Sequence, residues 1–294
     1  MKILLLGRNG QLGWELARTL APLGEVIAAD YPEIDLAKPD GVRALVRETA
    51  PEVIINATAY TAVDRAEAER DLAFAINETG PGVLAEEAKR LDASLIHYST
   101  DYVFDGEKKA PYVEADAPVP LNVYGASKLA GERAVQAAGG AYLILRTAWV
   151  YSLRQAGFVT KVLEWARRQE TLRIVDDQVS NPTWARMLAE ITAQLLARDP
   201  GCARAHTGLY HLAGCGHASR YEWARSILEL DPARPEQKAR EILPARTADF
   251  PTPARRPLFS ALDCSLFAAD FGLMLPPWQE SLRLAMAGLP GGEA

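Results

Sequence analysis

Cysteine is scarce in this chain and poorly spaced for structural use. Cys202, Cys215 and Cys264 make an odd set with no Cys-x-x-Cys pair. That argues against a disulfide framework and against a thiolate zinc site, and leaves scattered reduced thiols. His211 and His217 have no metal-ligand spacing either, so the residues themselves point to no metal site. Positive charge is not in excess: 32 Lys and Arg face 38 Asp and Glu, for a net charge of −6. No nucleic-acid partner and no anionic membrane surface is expected. A phosphate-bearing ligand would have to be held locally, by helix N-termini and single arginines. Long apolar runs are also missing. The N-terminal run Ile3 to Leu6 stops at Gly7, too short for a signal peptide or a membrane span, so a cytoplasmic location is the expectation. Neither an internal repeat nor a low-complexity segment is found, and Gly288 to Ala294 are expected to fray.

What is present reads as one large globular unit or two unequal ones. Lys2 to Leu6, Val26 to Ala29, Val53 to Asn56 and Leu95 to Tyr98 are short apolar runs of strand character. Helical patterns separate them: one through Leu23, one over Gly41 to Ala50 and one over Asp71 to Leu91. Strand and helix alternating in this way predict an α/β fold, a Rossmann-like doubly wound parallel sheet. Ligands bind such sheets at the carboxyl ends of the strands.

Several unusual residues fall at those ends. Gly7-Arg8-Asn9-Gly10-Gln11-Leu12-Gly13 joins the first strand to the first helix. In that context a glycine pattern suggests a dinucleotide site, with a tight turn at Gly7, close pyrophosphate approach at Gly10 and close helix packing at Gly13. The spacing is G-x-x-G-x-x-G. Asp30, 17 residues beyond Gly13, ends the second strand and suits the adenosine ribose hydroxyls of NADH. Arg8 pulls the other way, toward the 2′-phosphate of NADPH. Asp35 and Leu36 follow in a loop where an adenine has room. Ala57, Thr58 and Ala59 after the third strand, and Tyr98 in the fourth, are expected against the cofactor.

Thr100 and Asp101 lie just past the fourth strand, and Tyr124 opens a helix that carries Lys128 one turn later. Residues at i and i+4 share a helix face, so phenol and ammonium point into one cleft. Hydroxyl, phenol and ammonium together suit carbonyl reduction: one orients the carbonyl, one gives a proton, and one makes the phenol a better acid. Asn77, inside a helix that it disfavours, is expected beneath this site, holding a water or a backbone carbonyl.

Four segments carry a resemblance: GRNGQLGWEL (Gly7 to Leu16), HYSTDYVFDG (His97 to Gly106), PLNVYGASKLAGE (Pro120 to Glu132) and PTPARRPLFSALD (Pro251 to Asp263), with DDQVSNPT (Asp176 to Thr183) a weaker fifth. Together they resemble the extended short-chain dehydrogenase/reductases, and among them the dTDP-4-dehydrorhamnose reductases. The resemblance implies NADPH or NADH as cofactor and a nucleotide-sugar substrate, dTDP-4-dehydro-L-rhamnose, reduced at C4. It assigns Tyr124 as proton donor, Lys128 as its partner and nicotinamide-ribose ligand, and Thr100 and Asn77 as supporting residues. The resemblance also implies that Trp149 flanks the sugar. It allows a monomer or a homodimer, and magnesium at a dimer interface; Glu15 on the first helix is a candidate ligand there, with a solvated helix face the expectation. At Ser180-Asn181 relatives usually carry Gly and a small residue. The same superfamily offers a second reading, a nucleotide-sugar epimerase or dehydratase. Thr100-Asp101-Tyr102 lacks the second acid of the dehydratase Thr-Asp-Glu. A third reading is a non-catalytic regulatory subunit.

After Trp149 the alternation becomes irregular. Helices are expected over Phe158 to Arg168, Thr183 to Ala197 and Tyr221 to Leu230, and short strands over Leu172 to Val175 and Tyr210 to Leu212. The expectation is a dinucleotide-binding domain over 1–150 and a smaller α/β substrate-binding lobe over 151–294, with segments crossing between them. Arg255 and Arg256, in a proline-flanked loop, form a fork suited to a diphosphate. Trp165, Trp184 and Trp223 sit on apolar helical stripes and are expected in the core.

Overall fold

The computed structural model describes residues 1–289; the fraying expected of 290–294 lies outside the described residues. Six short, largely buried strands form the central sheet: β1 (Lys2–Leu6), β2 (Glu25–Ala29), β3 (Val53–Asn56), β4 (Ser94–Thr100), β5 (Ala141–Thr147) and β6 (Gly208–His211). Their order is β6-β5-β4-β3-β1-β2, and every neighbouring pair is parallel. Parallel strands need crossover connections, and these cover both faces of a sheet. Alternate residues of a strand face opposite sides, and β1 shows the result. Ile3 and Leu5 pack with Leu12 and Leu16 of α1 (Gln11–Thr19) and with Leu188 and Leu195 of a helix that returns from the second half. Leu4 and Leu6 pack with Val42 and Val46 of α2 (Pro39–Thr49), and with Val83, Leu84 and Val135 from the next two helices.

Those two are α3 and α4. α3 runs through Arg70–Phe74, a π-helical turn Ala75–Thr79 and Gly80–Arg90; α4 is Val123–Ala138. Four longer helices follow among the described residues, α5 (Phe158–Arg168), α6 (Ala185–Arg198), α7 (Arg220–Glu229) and α8 (Trp278–Ala287), with two shorter ones, Cys202–Ala205 and Ser265–Phe271, between them. A second core joins Val162, Leu172, Trp223, Ile227 and Leu282, and is made mainly by α5, α7, α8 and the parallel pair Thr171–Val175 with Glu241–Ala245. Trp165, Trp184 and Trp223 all pack in this second core.

The chain crosses between the two cores: β6 pairs with β5, and α6 packs on α1. All three cysteines are free thiols. Among the described residues no helix is long and apolar enough to cross a membrane.

Three differences from the sequence reading have local causes. α1 ends at Thr19 rather than Leu23, because Pro22 opens a separate 3₁₀ turn. β4 continues through Thr100, because Ser99 and Thr100 still pair with Arg146 and Thr147 of β5. The Asn77 helix is not uniform: its π turn is where the sequence carries its poor helix former. Strand order reverses about β1, so β1 and β3 flank the switch point, where doubly wound sheets bind ligands.

Candidate active site

The carboxyl ends of β1, β3, β4 and β5 open into a cleft of about 720 Å³. Its floor is the glycine loop. Gly7 has φ of +93°, and a β-carbon there would lie 2.9 Å from the Ala57 carbonyl. A β-carbon on Gly13 would fall 1.9 Å from the Gly7 oxygen. The loop can therefore lie this close to α1 and to the β3 loop only as glycine. Gly10 stands at the N-cap of α1 without a side-chain cap, and the first turn holds no acid. Its free N–H groups and the helix dipole make a cradle for a pyrophosphate.

Asn9, Gly10, Gln11 and Leu12 line the cleft with Asp30, Ala57, Thr58, Ala59 and Tyr98. The Asp30 carboxylate accepts from the backbone N–H groups of Asn9 at 2.8 Å and Tyr31 at 2.7 Å. These residues fit a dinucleotide: a bare helix N-terminus for phosphates, and a fixed carboxylate for ribose hydroxyls. Three of the residues expected there lie elsewhere. Arg8 donates to the Ala28 carbonyl at 2.7 Å and pairs with Glu33 at 2.5 Å. Leu36 is buried in the core under Gly80, because it is apolar and follows a turn. Asp35 closes that turn by accepting from the Ala37 N–H at 3.0 Å.

Deeper in the cleft, Thr100, Tyr124 and Lys128 come together. Asn122 starts α4 by accepting from the Gly125 N–H at 2.8 Å, which sets Tyr124 in the first turn. Burial pushes the Tyr124 phenol up, a hydrogen bond with the Thr100 hydroxyl opposes this, and Asp101 and Tyr102 add to it. The expected acidifying partner, Lys128, lines the same cleft but makes its hydrogen bond to backbone and not to the phenol. Its Nζ donates to the Tyr98 carbonyl at 2.6 Å, and burial brings it down to about 8 against the pull of Glu132. Tyr124 is thus a protonated phenol whose acidity burial lowers and Thr100 only partly restores. Asn77 does not reach the cleft. From its π turn it accepts from the Tyr60 N–H at 2.8 Å and donates to the Tyr60 carbonyl at 3.2 Å. It also donates to the Ser127 hydroxyl at 2.9 Å, and Ser127 donates to the Tyr124 carbonyl at 2.8 Å. Asn77 therefore clasps the β3 loop to the helix that carries the phenol.

The far end of the cleft is closed by Asp101, Trp149 and Arg220. Asp101 is buried, and burial raises its carboxyl to about 6. Its oxygens accept from Ser180 at 3.0 Å, Ser260 at 2.5 Å and Thr100 at 3.2 Å. The departure at Ser180-Asn181 thus has a use. Ser180 holds Asp101, while Asn181 accepts from the Leu262 N–H at 2.7 Å and donates to the Gly216 carbonyl at 2.8 Å.

Trp149 has φ of +39°, a conformation that a bulky residue adopts only where its surroundings enforce it. Its ring stacks on Trp223 with centroids 5.6 Å apart, and the Arg220 guanidinium lies 3.6 Å from its centroid. The sequence reading missed Arg220. A signal was available: Ser219 and Glu222 form a capping box, which puts a cation at the first position of α7, where the dipole disfavours it. The expected arginine fork is dispersed. Arg256 makes a two-pronged pair with Asp64 at 2.7 and 3.0 Å, and Arg255 is exposed, with its carbonyl accepting from Asn122 at 2.7 Å. The guanidinium facing the cleft is that of Arg220.

Among the described residues no group of three or more His, Cys, Asp or Glu is placed to hold a metal ion. Glu15, expected on the surface, is buried, with Arg18 at 3.5 Å.

The family model described as RmlD substrate binding domain matches residues 1–289. The chain belongs to that family. Its relatives match over nearly their full length. A dTDP-4-dehydrorhamnose reductase of Burkholderia thailandensis is 42% identical, covering 98% of this chain and 99% of its own. The Escherichia coli dTDP-4-dehydrorhamnose reductase is also 42% identical, covering 96% of each chain. Among solved structures, a Clostridium acetobutylicum dTDP-4-dehydrorhamnose reductase superposes with a TM-score of 0.90 at 36% identity, over 97% of this chain and 98% of that one. The Bacillus anthracis dTDP-4-dehydrorhamnose reductase in complex with NADP gives 0.89 at 33% identity, over 98% of this chain and all of that one. The RmlD-family chain is an oxidoreductase with a nicotinamide dinucleotide site on a Rossmann-like sheet.

Proposed function

We propose that this enzyme reduces the C4 ketone of dTDP-4-dehydro-L-rhamnose to dTDP-L-rhamnose with NADH or NADPH. The observation that carries the reading is the meeting of Thr100, Tyr124 and Lys128 in one cleft with the uncapped glycine loop. When bound, the dihydronicotinamide supplies a hydride to the ketone carbon. Thr100 holds the ketone oxygen and Tyr124 gives it a proton as negative charge develops. Lys128, charged below about 8, binds the nicotinamide ribose and stabilises the phenolate left behind. Asp101 accepts from the Thr100 hydroxyl until the ketone oxygen takes its place, and Trp149 bounds the sugar.

The larger unit, 1–150 with β6 and α6, holds the coenzyme; the rest of 151–289 shapes the substrate side. An adjoining cavity of about 470 Å³ shares Arg220 with the cleft and is lined by Phe158, Trp165, Phe250 and Arg256. Its aromatic walls suit a thymine, and Arg220 then stands where the diphosphate passes.

The reading is tested by following dihydronicotinamide absorbance with dTDP-4-dehydro-L-rhamnose. Consumption of either coenzyme supports it. Coenzyme binding without consumption of either would sink it, and would favour the regulatory-subunit reading.

Two results are expected alongside. Asp30 follows β2 directly, in the cleft, and Glu33 neutralises Arg8, so NADH is used better than NADPH. Asp30→Ser narrows that preference by roughly tenfold, the effect of about 1.4 kcal/mol. Steady-state kinetics with both coenzymes check it, and an unchanged ratio contradicts it. Arg220→Ala raises KM for the nucleotide sugar by roughly 10- to 100-fold, the loss of a charged hydrogen bond, with kcat little changed. An equal loss in kcat at unchanged KM would place Arg220 outside substrate binding.

A further inference from the structure

β4 brings a second basic side chain against Lys128. His97 is fully buried, with Nε2 3.5 Å from the Lys128 Nζ and Nδ1 3.1 Å from the Asn56 Nδ2. The Asn56 amide has only one orientation. Its Oδ1 accepts from the Thr58 backbone N–H at 3.0 Å and from the Thr58 hydroxyl at 2.5 Å. Flipping the amide would set its NH₂ against a backbone donor. Asn56 Nδ2 therefore donates to His97, and the accepting Nδ1 carries no proton. Burial, with the Lys128 charge adding to it, keeps the imidazole neutral. The one ring proton sits on Nε2 and points at Lys128. An ammonium finds no acceptor there, and its bond goes to the Tyr98 carbonyl instead.

We infer that Asn56 and His97 are positioning residues for Lys128. They lock the imidazole as the Nε2–H tautomer, which turns the lysine's hydrogens from the sheet toward the Tyr98 carbonyl and the cleft and disfavours its charged form. Thr58 lines the cleft, so the lock is anchored in the loop beside the coenzyme site. The inference rests on the reading of Lys128 as the partner of Tyr124.

The ionisable groups that face Lys128 divide by direction. His97 on β4 opposes the ammonium. Glu132 on α4, paired with Arg146 of β5 at 2.7 Å, supports it. Tyr124 lies one turn earlier on α4, and Asp101, after β4, acts on Tyr124. The fall of Lys128 to about 8 then sets a pH limit. The ammonium is present below that pH and lost above it, so kcat/KM declines as pH rises through about 8.

The tautomer is read directly by nitrogen-15 NMR of the histidine rings in the full chain, with His97 assigned by changing the other histidines to Gln one at a time. One protonated Nε2 and one bare Nδ1 at pH 7, unchanged well below pH 6, is the expected result. A protonated Nδ1, or an imidazolium at pH 7, would overturn the inference. Asn56→Asp reads the coupling. Its carboxylate accepts from Thr58 and also from His97, which favours the tautomer with its proton on Nδ1, so Nε2 becomes an acceptor for Lys128. The alkaline limb of kcat/KM then moves up by about one pH unit, the weight of one charged hydrogen bond. A switched tautomer with an unmoved limb would defeat the coupling. If Asn56→Asp does not fold, the wild-type tautomer still decides. If Lys128→Met keeps full activity, the reading of Lys128 fails, whatever the tautomer.

Discussion

Turnover of Tyr124→Phe falls by about 10²- to 10⁴-fold, the range for a lost general acid, while coenzyme binding stays within a few-fold of the parent. The ring packs against Tyr102 in a T-shaped contact at 5.8 Å, which phenylalanine keeps. The Asn122 cap and the Asn77–Ser127–Tyr124 chain use backbone and neighbouring atoms, so α4 keeps its place. Only the O–H is removed. Thr100 can still turn its one O–H from Asp101 to the ketone oxygen, but an aliphatic hydroxyl is too weak an acid to give up that proton. Single-turnover rates beside coenzyme titration check this. Retention of more than a tenth of the activity would mean that another group delivers the proton.

Glu132→Ala is expected to destabilise the fold by roughly 3–5 kcal/mol, the usual loss when one member of a buried ion pair is removed. Glu132 and Arg146 are both almost fully buried and meet through two hydrogen bonds, at 2.9 and 2.7 Å. Ser99 donates to the same carboxylate at 2.5 Å. Removing it leaves a guanidinium packed 5.0 Å from the Phe104 ring and near His211, whose imidazole burial first and Arg146 second hold down to about 3. It also withdraws the charge that supports the Lys128 ammonium, so the surviving folded enzyme loses activity at a lower pH than the parent. The double variant Glu132→Leu/Arg146→Met recovers most of the stability, because neither charge remains buried. Denaturant midpoints check both; a loss below 1 kcal/mol for Glu132→Ala contradicts the account.

Much of this architecture was legible in the chain because its signals are local. Buried parallel strands read as short apolar runs, the glycine turn follows its strand directly, and Tyr124 and Lys128 share a helix face by spacing alone. Contacts made across the fold were not legible. Arg256 pairs with Asp64 and Asp101 with Ser180 and Ser260, residues far apart in the chain. Arg8 was placed by its loop, yet its side chain follows Glu33 instead of a phosphate. His97 stood inside the most informative segment and drew no attention, because a histidine's role depends on which neighbours meet its two nitrogens. β6 and α6 returned to the first unit because β5 and α1 had apolar surface left to cover.

The most direct test transfers deuterium. The enzyme is given dTDP-4-dehydro-L-rhamnose and reduced coenzyme carrying deuterium at both C4 positions of the nicotinamide, in ordinary water. The account predicts one product, dTDP-L-rhamnose, carrying deuterium on sugar C4 and a solvent proton on the new hydroxyl. Sugar C4 left unreduced, or reduced without the label, while the coenzyme stays bound would contradict it.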